Sequence, residues 1–196
     1  WCAYGRHERL YIRQYEEECN LRVYLLVDGS HSMAYAHAGF SKYLFASRLA
    51  AALAYVTVHQ QDSVGLTLFD QEVRTELPAR SGLEHLRVLA NLLADHRPDA
   101  ETDLARTLHR LAEKVRRRAL VVILSDLFDD LERLRHALAH FRRRKHDVIL
   151  YHVLDPAEIG FPFRDVGSFE DLETAAVLVT NPRDVRQAYQ EAFAEF

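Results

Sequence analysis

Two short polar runs hold the residues of this chain whose types and spacing allow chemistry. The first, Asp28-Gly29-Ser30-His31-Ser32, directly follows the apolar run Leu21 to Val27, and the second, Ser125-Asp126, directly follows Ala119 to Leu124. Polar side chains at 28, 30 and 32 alternate with Gly29 and His31, so an extended segment aims one carboxylate and two hydroxyls the same way. A third loop offers Thr102, just before a helical pattern that begins near Asp103. Two carboxylates and three hydroxyls make an all-oxygen set, which suits a hard cation. Mg²⁺ prefers six oxygens near ~2.1 Å and keeps some waters, leaving a position open, and Mn²⁺ is served by the same donors.

For these loops to meet, the strands before them must be neighbours. Leu21 to Val27 reads as a buried strand, and Ser41 is placed to cap a first helix whose apolar stripe is Phe45, Leu49, Ala52 and Val56. Ser63 to Phe69 and Glu72 to Leu77 are two strands too close in sequence for a helix between them, which predicts an antiparallel edge pair. Two helical stripes follow: Leu83, Leu86, Ala90 and Leu93, then Leu104, Leu108, Leu111 and Val115, separated by a polar break containing Pro98. Ala119 to Leu124 is apolar throughout, as a central strand buried on both faces should be. Leu131, Leu134, Leu138 and Phe141 mark a helix, and His146 to Leu154 and Ala175 to Thr180 two more strands. Asn181-Pro182 starts a last helix. The alternation predicts an α/β fold, a Rossmann-like doubly wound, mostly parallel sheet with one antiparallel edge strand and helices on both faces. In such sheets ligands sit outside the carboxyl ends of the strands, where connections diverge to opposite faces. Neighbouring strands at that point would turn Asp28 and Asp126 into one crevice.

Composition sets the bounds. The 196 residues carry 25 Lys plus Arg against 29 Asp plus Glu, a formal charge of −4, with 48% apolar residues and only 7 Gly and 5 Pro, which describes a folded domain and no polycation. The longest apolar run, Leu49 to Val56, is far short of the ~20 residues a membrane-spanning helix needs. Two cysteines, Cys2 and Cys19, cannot form a disulfide framework and no Cys/His group has zinc spacing, so a cytoplasmic setting is expected. The only methionine is Met33. The chain is therefore expected to be a fragment or a processed product: 1–20 as a lead-in belonging to an upstream region, and 21–196 as one domain with further sequence expected at its C-terminus.

Asp28-x-Ser30-x-Ser32, a later Thr102 and then Asp126 resemble the metal-ion-dependent adhesion site of von Willebrand factor type A domains, and the order of elements matches that fold. More narrowly, WCAYGRHERLYIRQYEEECN at the start, LRVYLLVDGSHSM, ETDLA around Thr102 and VVILSDLFDD around Asp126 resemble the bacterial proteins called domain of unknown function 58, whose genes typically lie beside those of MoxR-type AAA+ ATPases. The resemblance covers nearly the whole chain. It implies that Ser30, Ser32 and Thr102 reach the metal directly while Asp28 and Asp126 act mostly through water, and that the open position accepts a carboxylate from a protein partner, either a MoxR-type ATPase or its client. Glu101 departs from the family's common glycine before the threonine, and whether it raises cation affinity or repels an acidic partner is open.

Structural roles compete with these. Asp28 and the serines could satisfy loop amides, and Thr102 could be a helix cap. Asp129, with Glu132 three residues on, fits a capping box. A phosphatase of the haloacid-dehalogenase type needs a second acid two residues after its aspartate, where this chain has Ser30. No G-x-S-x-G elbow supports a serine hydrolase, and Ser32 beside His31 is adjacency without a triad, so no enzyme activity is expected. His31, in the metal loop, is placed to tune partner docking by protonation if it faces the partner. The basic clusters Arg116 to Arg118 and Arg142 to Lys145 fall at helix C-termini, where cations offset the dipole, and lack the aromatic interleaving of a nucleic-acid site. The segment Pro156 to Leu172, with Phe161, Phe163 and Phe169, reads as an apolar flap over the core. The expected function is a non-enzymatic interaction module that binds Mg²⁺ or Mn²⁺ and grips a partner carboxylate, by resemblance an adaptor for a MoxR-type ATPase in chaperone-like or maturation work; the alternative is a metal-independent scaffold with a vestigial site, and a metal-dependent hydrolase comes last.

Overall fold

The computed structural model describes residues 21–37, 39–99, 103–115, 117–165, 167–170 and 177–195. Thr102, Glu101, Arg116 and both cysteines lie outside the described residues. Strand β1 (Arg22–Asp28) leads through a single 3-10 turn (His31–Ala34) to helix α1 (Lys42–His59), then β2 (Ser63–Phe69), β3 (Val73–Arg80), α2 (Leu83–Asp95) and α3 (Leu104–Lys114). The chain continues through β4 (Leu120–Ser125), α4 (Leu131–Arg143), β5 (Asp147–His152), the short α5 (Pro156–Gly160), β6 (Gly167–Glu170), β7 (Val177–Thr180) and α6 (Pro182–Glu195).

The main sheet has the order β3-β2-β1-β4-β5, parallel except for β3, which runs antiparallel to β2 at the edge. The predicted α/β class and edge pair are present. The middle strand, however, is β1, and β4 lies one place from it. Side chains alternate across β1: Val23, Leu25 and Val27 pack under α1 and α2, while Leu26 turns to α3 and α4. The connections from β1 and β4 thus leave for opposite faces, which makes the β1–β4 boundary the topological switch point.

Several local expectations need correction. In α1 the buried stripe is Tyr43, Ala46, Ala50, Ala54 and Val58, while Phe45 is 50% and Val56 51% exposed. The helix is apolar on nearly every side, and the face with small residues wins because it lets the backbone approach the sheet. In α2, Leu83 is exposed and Leu89 joins Leu93 inside. The expected last strand of the open sheet is β7, which instead pairs antiparallel with β6 in a separate ribbon. The apolar flap is no lid on the main core: Phe161 stacks at 5.9 Å on Phe169 and lies 4.6 Å from Tyr189 of α6, a small aromatic core of its own. The cap of α4 is Asp130, whose side chain accepts the Arg133 N–H at 2.8 Å, and Asp129 instead accepts the Ala105 N–H of α3 at 2.8 Å. Asp129 therefore ties α3 to the loop after β4 rather than forming the expected capping box.

Candidate functional site

The ladder between β1 and β4 reaches Val27 opposite Leu124, so the next step sets Asp28 beside Ser125. Both side chains point to the same face of the sheet, and Ser125 Oγ donates to Asp28 Oδ2 at 2.6 Å. The other oxygen, Oδ1, accepts the Ser30 N–H at 2.9 Å, which folds the DGS segment back over the strand end. Gly29 N–H donates to the Phe69 carbonyl of β2 at 2.7 Å, anchoring the turn on its other side. The absent side chain at Gly29 leaves room for the His96 ring: a Cβ there would lie 2.0 Å from its Nε2, so the ring would have to move aside. Ser30 and Ser32 then meet, hydroxyl to hydroxyl, at 3.1 Å. The structure brings Asp28, Ser30 and Ser32 together and buries all three, but through the 3-10 turn His31–Ala34 and not through the extended segment expected from the alternation.

Asp126 is one residue beyond Ser125 and so turns to the opposite face, the side of α1. Its Oδ2 accepts from Lys42 Nζ at 2.8 Å, and the same ammonium donates to Glu158 Oε1 of α5 at 2.6 Å. Lys42 is 3% exposed and Asp126 fully buried. Leu127 follows with φ 62°, a left-handed backbone that ends the strand sharply. Its N–H donates to Ser125 Oγ at 3.0 Å, so that one serine serves both the turn and Asp28.

The two carboxylates differ in charge environment. Burial pushes the Asp28 carboxyl up to about 7, the negative charge of Asp126 adds to the rise, and the hydrogen bonds from Ser125 and Ser30 pull against it. Among the described residues no cation is paired with Asp28, whereas Asp126 has the lysine.

Thr102 lies outside the described residues, and Asp103, its neighbour, is the N-cap of α3, accepting the Arg106 N–H at 3.2 Å. The capping role open to Thr102 thus belongs to Asp103. Among the described residues no three carboxylate, imidazole or thiol groups are grouped to hold a metal, so a cation here would depend on the hydroxyls as well as the two aspartates. The donors fit a hard ion in kind: they are oxygens, two are buried carboxylates, and one of these already draws an ammonium. Beside the site a groove of about 460 Å³ opens between Phe40, Lys42 and Phe45 on one wall and His152 to Pro156 on the other. His31 is half-buried in the 3-10 turn.

Lys42, Glu158 and His96 did not emerge from the sequence as site residues, and Ser125, in the second polar run, was given no role of its own. One signal for Lys42 was present: a lysine in the first position of a helix faces the positive end of the dipole, a placement that costs about 0.3–1 kcal/mol unless an acid holds it.

Comparison with known proteins gives kinship without an assigned activity. An uncharacterized protein of Mycobacterium bovis (Mb1516) and one of Mycobacterium tuberculosis (Rv1480) are each 29% identical over 183 residues, covering 90% of this chain and 56% of theirs. The chain thus spans little more than half the length of these relatives. The fold is shared with an aerotolerance-related membrane protein from Bacteroides fragilis, with TM-score 0.62, 18% identity and 87% of both chains covered. It is also shared with the conserved hypothetical protein BatB from Bacteroides thetaiotaomicron, with TM-score 0.56, 18% identity, and 87% of this chain and 84% of that one covered. No helix among the described residues is long and apolar enough to cross a membrane. Residues 1–195 match the family described as Protein of unknown function DUF58, and the chain belongs to that family.

Proposed function

We propose that this domain is an interaction module of the von Willebrand type A kind, in which Asp28, Ser30, Ser32, Thr102 and Asp126 hold Mg²⁺ or Mn²⁺ and the ion grips an Asp or Glu carboxylate of a protein partner. The observation that carries the proposal is the arrangement at the switch point: two buried aspartates lie at the ends of adjacent parallel strands, with the Ser30 and Ser32 hydroxyls 3.1 Å apart beside Asp28. A bound ion would supply a Lewis-acid position. The chain's own contribution is to orient the donors. Ser125 and the Ser30 amide hold the Asp28 carboxyl, and the tether from Gly29 to β2 keeps the serine loop in place. Chemistry here is recognition, without turnover. The groove lined by Phe40 and Phe45 offers apolar contact to the residues flanking the partner's acid. A MoxR-type AAA+ ATPase or its client fits as partner by family resemblance, making the domain a cytoplasmic adaptor.

The test is a Mn²⁺ titration followed by electron paramagnetic resonance on the chain and on Asp28→Ala and Thr102→Ala variants checked for folding. Saturable binding lost in both variants is expected. An acidic-to-alanine scan of a partner that leaves metal-dependent binding intact would remove the carboxylate grip.

A second proposal, a metal-free scaffold, draws on Lys42, whose ammonium already neutralises Asp126. It predicts partner binding that persists in EDTA and in Thr102→Ala. A hydrolase would be revived only by phosphatase or esterase turnover that Asp28→Asn abolishes.

A further inference from the structure

Both oxygens of Asp126 are engaged: Oδ2 accepts from the Lys42 ammonium at 2.8 Å, and Oδ1 accepts the Phe128 N–H at 3.4 Å. We propose, on the footing of the metal reading above, that Lys42 is a tethered cation competing with the divalent ion for Asp126, and that the site loads as Lys42 passes from Asp126 to Glu158.

Three features of the geometry support the handover. First, a divalent ion and an ammonium at the same buried carboxylate repel each other strongly, because few waters screen them, and whether the aspartate meets the ion directly or through water does not change that sign. Second, a place for the displaced charge is already built. Glu158 Oε1 is 2.6 Å from Nζ and its side chain is 16% exposed, against 0% for Asp126, so retreat toward Glu158 moves the ammonium toward solvent. The Phe128 ring, 5.2 Å from Nζ, adds a face on which the cation can rest. Third, Glu158 is itself fixed. Its Oε2 accepts the Asp155 N–H at 2.7 Å in the capping box of α5, which leaves Oε1 directed at Lys42.

In the metal-free protein the lysine thus balances the buried charge of Asp126 without an ion. In the loaded protein it is the charge that must be moved aside. Its cost is a weaker metal site than the oxygen donors alone would make.

The experiment measures Mn²⁺ affinity by electron paramagnetic resonance on the chain and on Lys42→Met, Glu158→Gln and Asp28→Ala, with folding checked by circular dichroism. Lys42→Met is expected to bind Mn²⁺ tighter by roughly tenfold or more, since it removes a like charge from a desolvated site. Glu158→Gln is expected to bind more weakly than the parent, because Lys42 loses its refuge while the capping oxygen is kept. Lys42→Met binding no tighter than the parent overturns the competition and leaves the metal site standing. No saturable binding in either the parent or Lys42→Met overturns the metal reading and the competition together. Should Lys42→Met fail to fold, a Glu158→Gln affinity equal to or tighter than that of the parent overturns the competition.

Discussion

The ends of β1 and β4 lie side by side and each closes on a buried aspartate, yet the two carboxylates are held by different chemistry. At the β1 end, Asp28 is surrounded by neutral donors, the Ser125 hydroxyl and the Ser30 amide, and its carboxyl rises to about 7. At the β4 end, Asp126 faces the Lys42 ammonium. The alternation of a strand explains the split. Residue 28 continues the face of Leu26, and residue 126 turns to the face of α1, where a helix start delivers the lysine. The two buried acids are tolerated because Asp126 has the lysine as counter-ion, while Asp28 can take a proton.

The largest expected effect breaks the β4 side. Lys42→Met in EDTA leaves Asp126 buried without its cation and should lower the unfolding free energy by ~3–5 kcal/mol, measured by urea denaturation. An unchanged midpoint would mean that the ion pair is not what makes Asp126 tolerable.

Next comes the β1 side, through pH. The folded protein holds the Asp28 proton up to about 7 while the unfolded chain releases it near 3.8, so between those values the folded state binds more protons. Stability of the metal-free protein from this group therefore falls as pH rises from about 4 to 7 and levels off above, by ~4 kcal/mol at most. Asp28→Asn should flatten that slope in denaturation series across the range. A slope that survives the substitution would assign it to other groups.

Ser125→Ala should cost ~1–3 kcal/mol, since it removes the hydroxyl shared by Asp28 and the Leu127 amide, and it should extend the sloping pH window upward. An unmoved window would show that the hydroxyl does not favour the charged form of Asp28. The smallest effect lies away from both carboxylates and serves as a control. Asp130→Ala removes the α4 cap at a cost of ~1 kcal/mol and should leave the pH dependence of stability untouched.

Much of this arrangement was legible from residues alone. The strands β1, β2 and β4, the antiparallel β3, the Ser41 cap and the α3 stripe of Leu104, Leu108 and Leu111 all follow from local periodicity, and all are present. The α1 face was not legible, because Lys42–His59 is apolar nearly all round and two stripes fit the helical period. Asp129 and Asp130 compete for one cap, and adjacency alone does not rank them. The pairing of β7 with β6 depends on a partner that periodicity cannot name.

By itself, then, the sequence determined the order of strands and helices and the polar punctuation at the ends of β1 and β4, since both are written in spacings of two to four residues. Only the tertiary structure decided that those two strands are neighbours, that Asp28 meets Ser125 across 97 residues and that Lys42 reaches Asp126 across 84. The physical reason is that a charge has no sequence address for its partner. The lysine's position at a helix start signalled that an acid must hold it, and which acid depended on how closely Ala46, Ala50 and Ala54 let α1 approach the sheet.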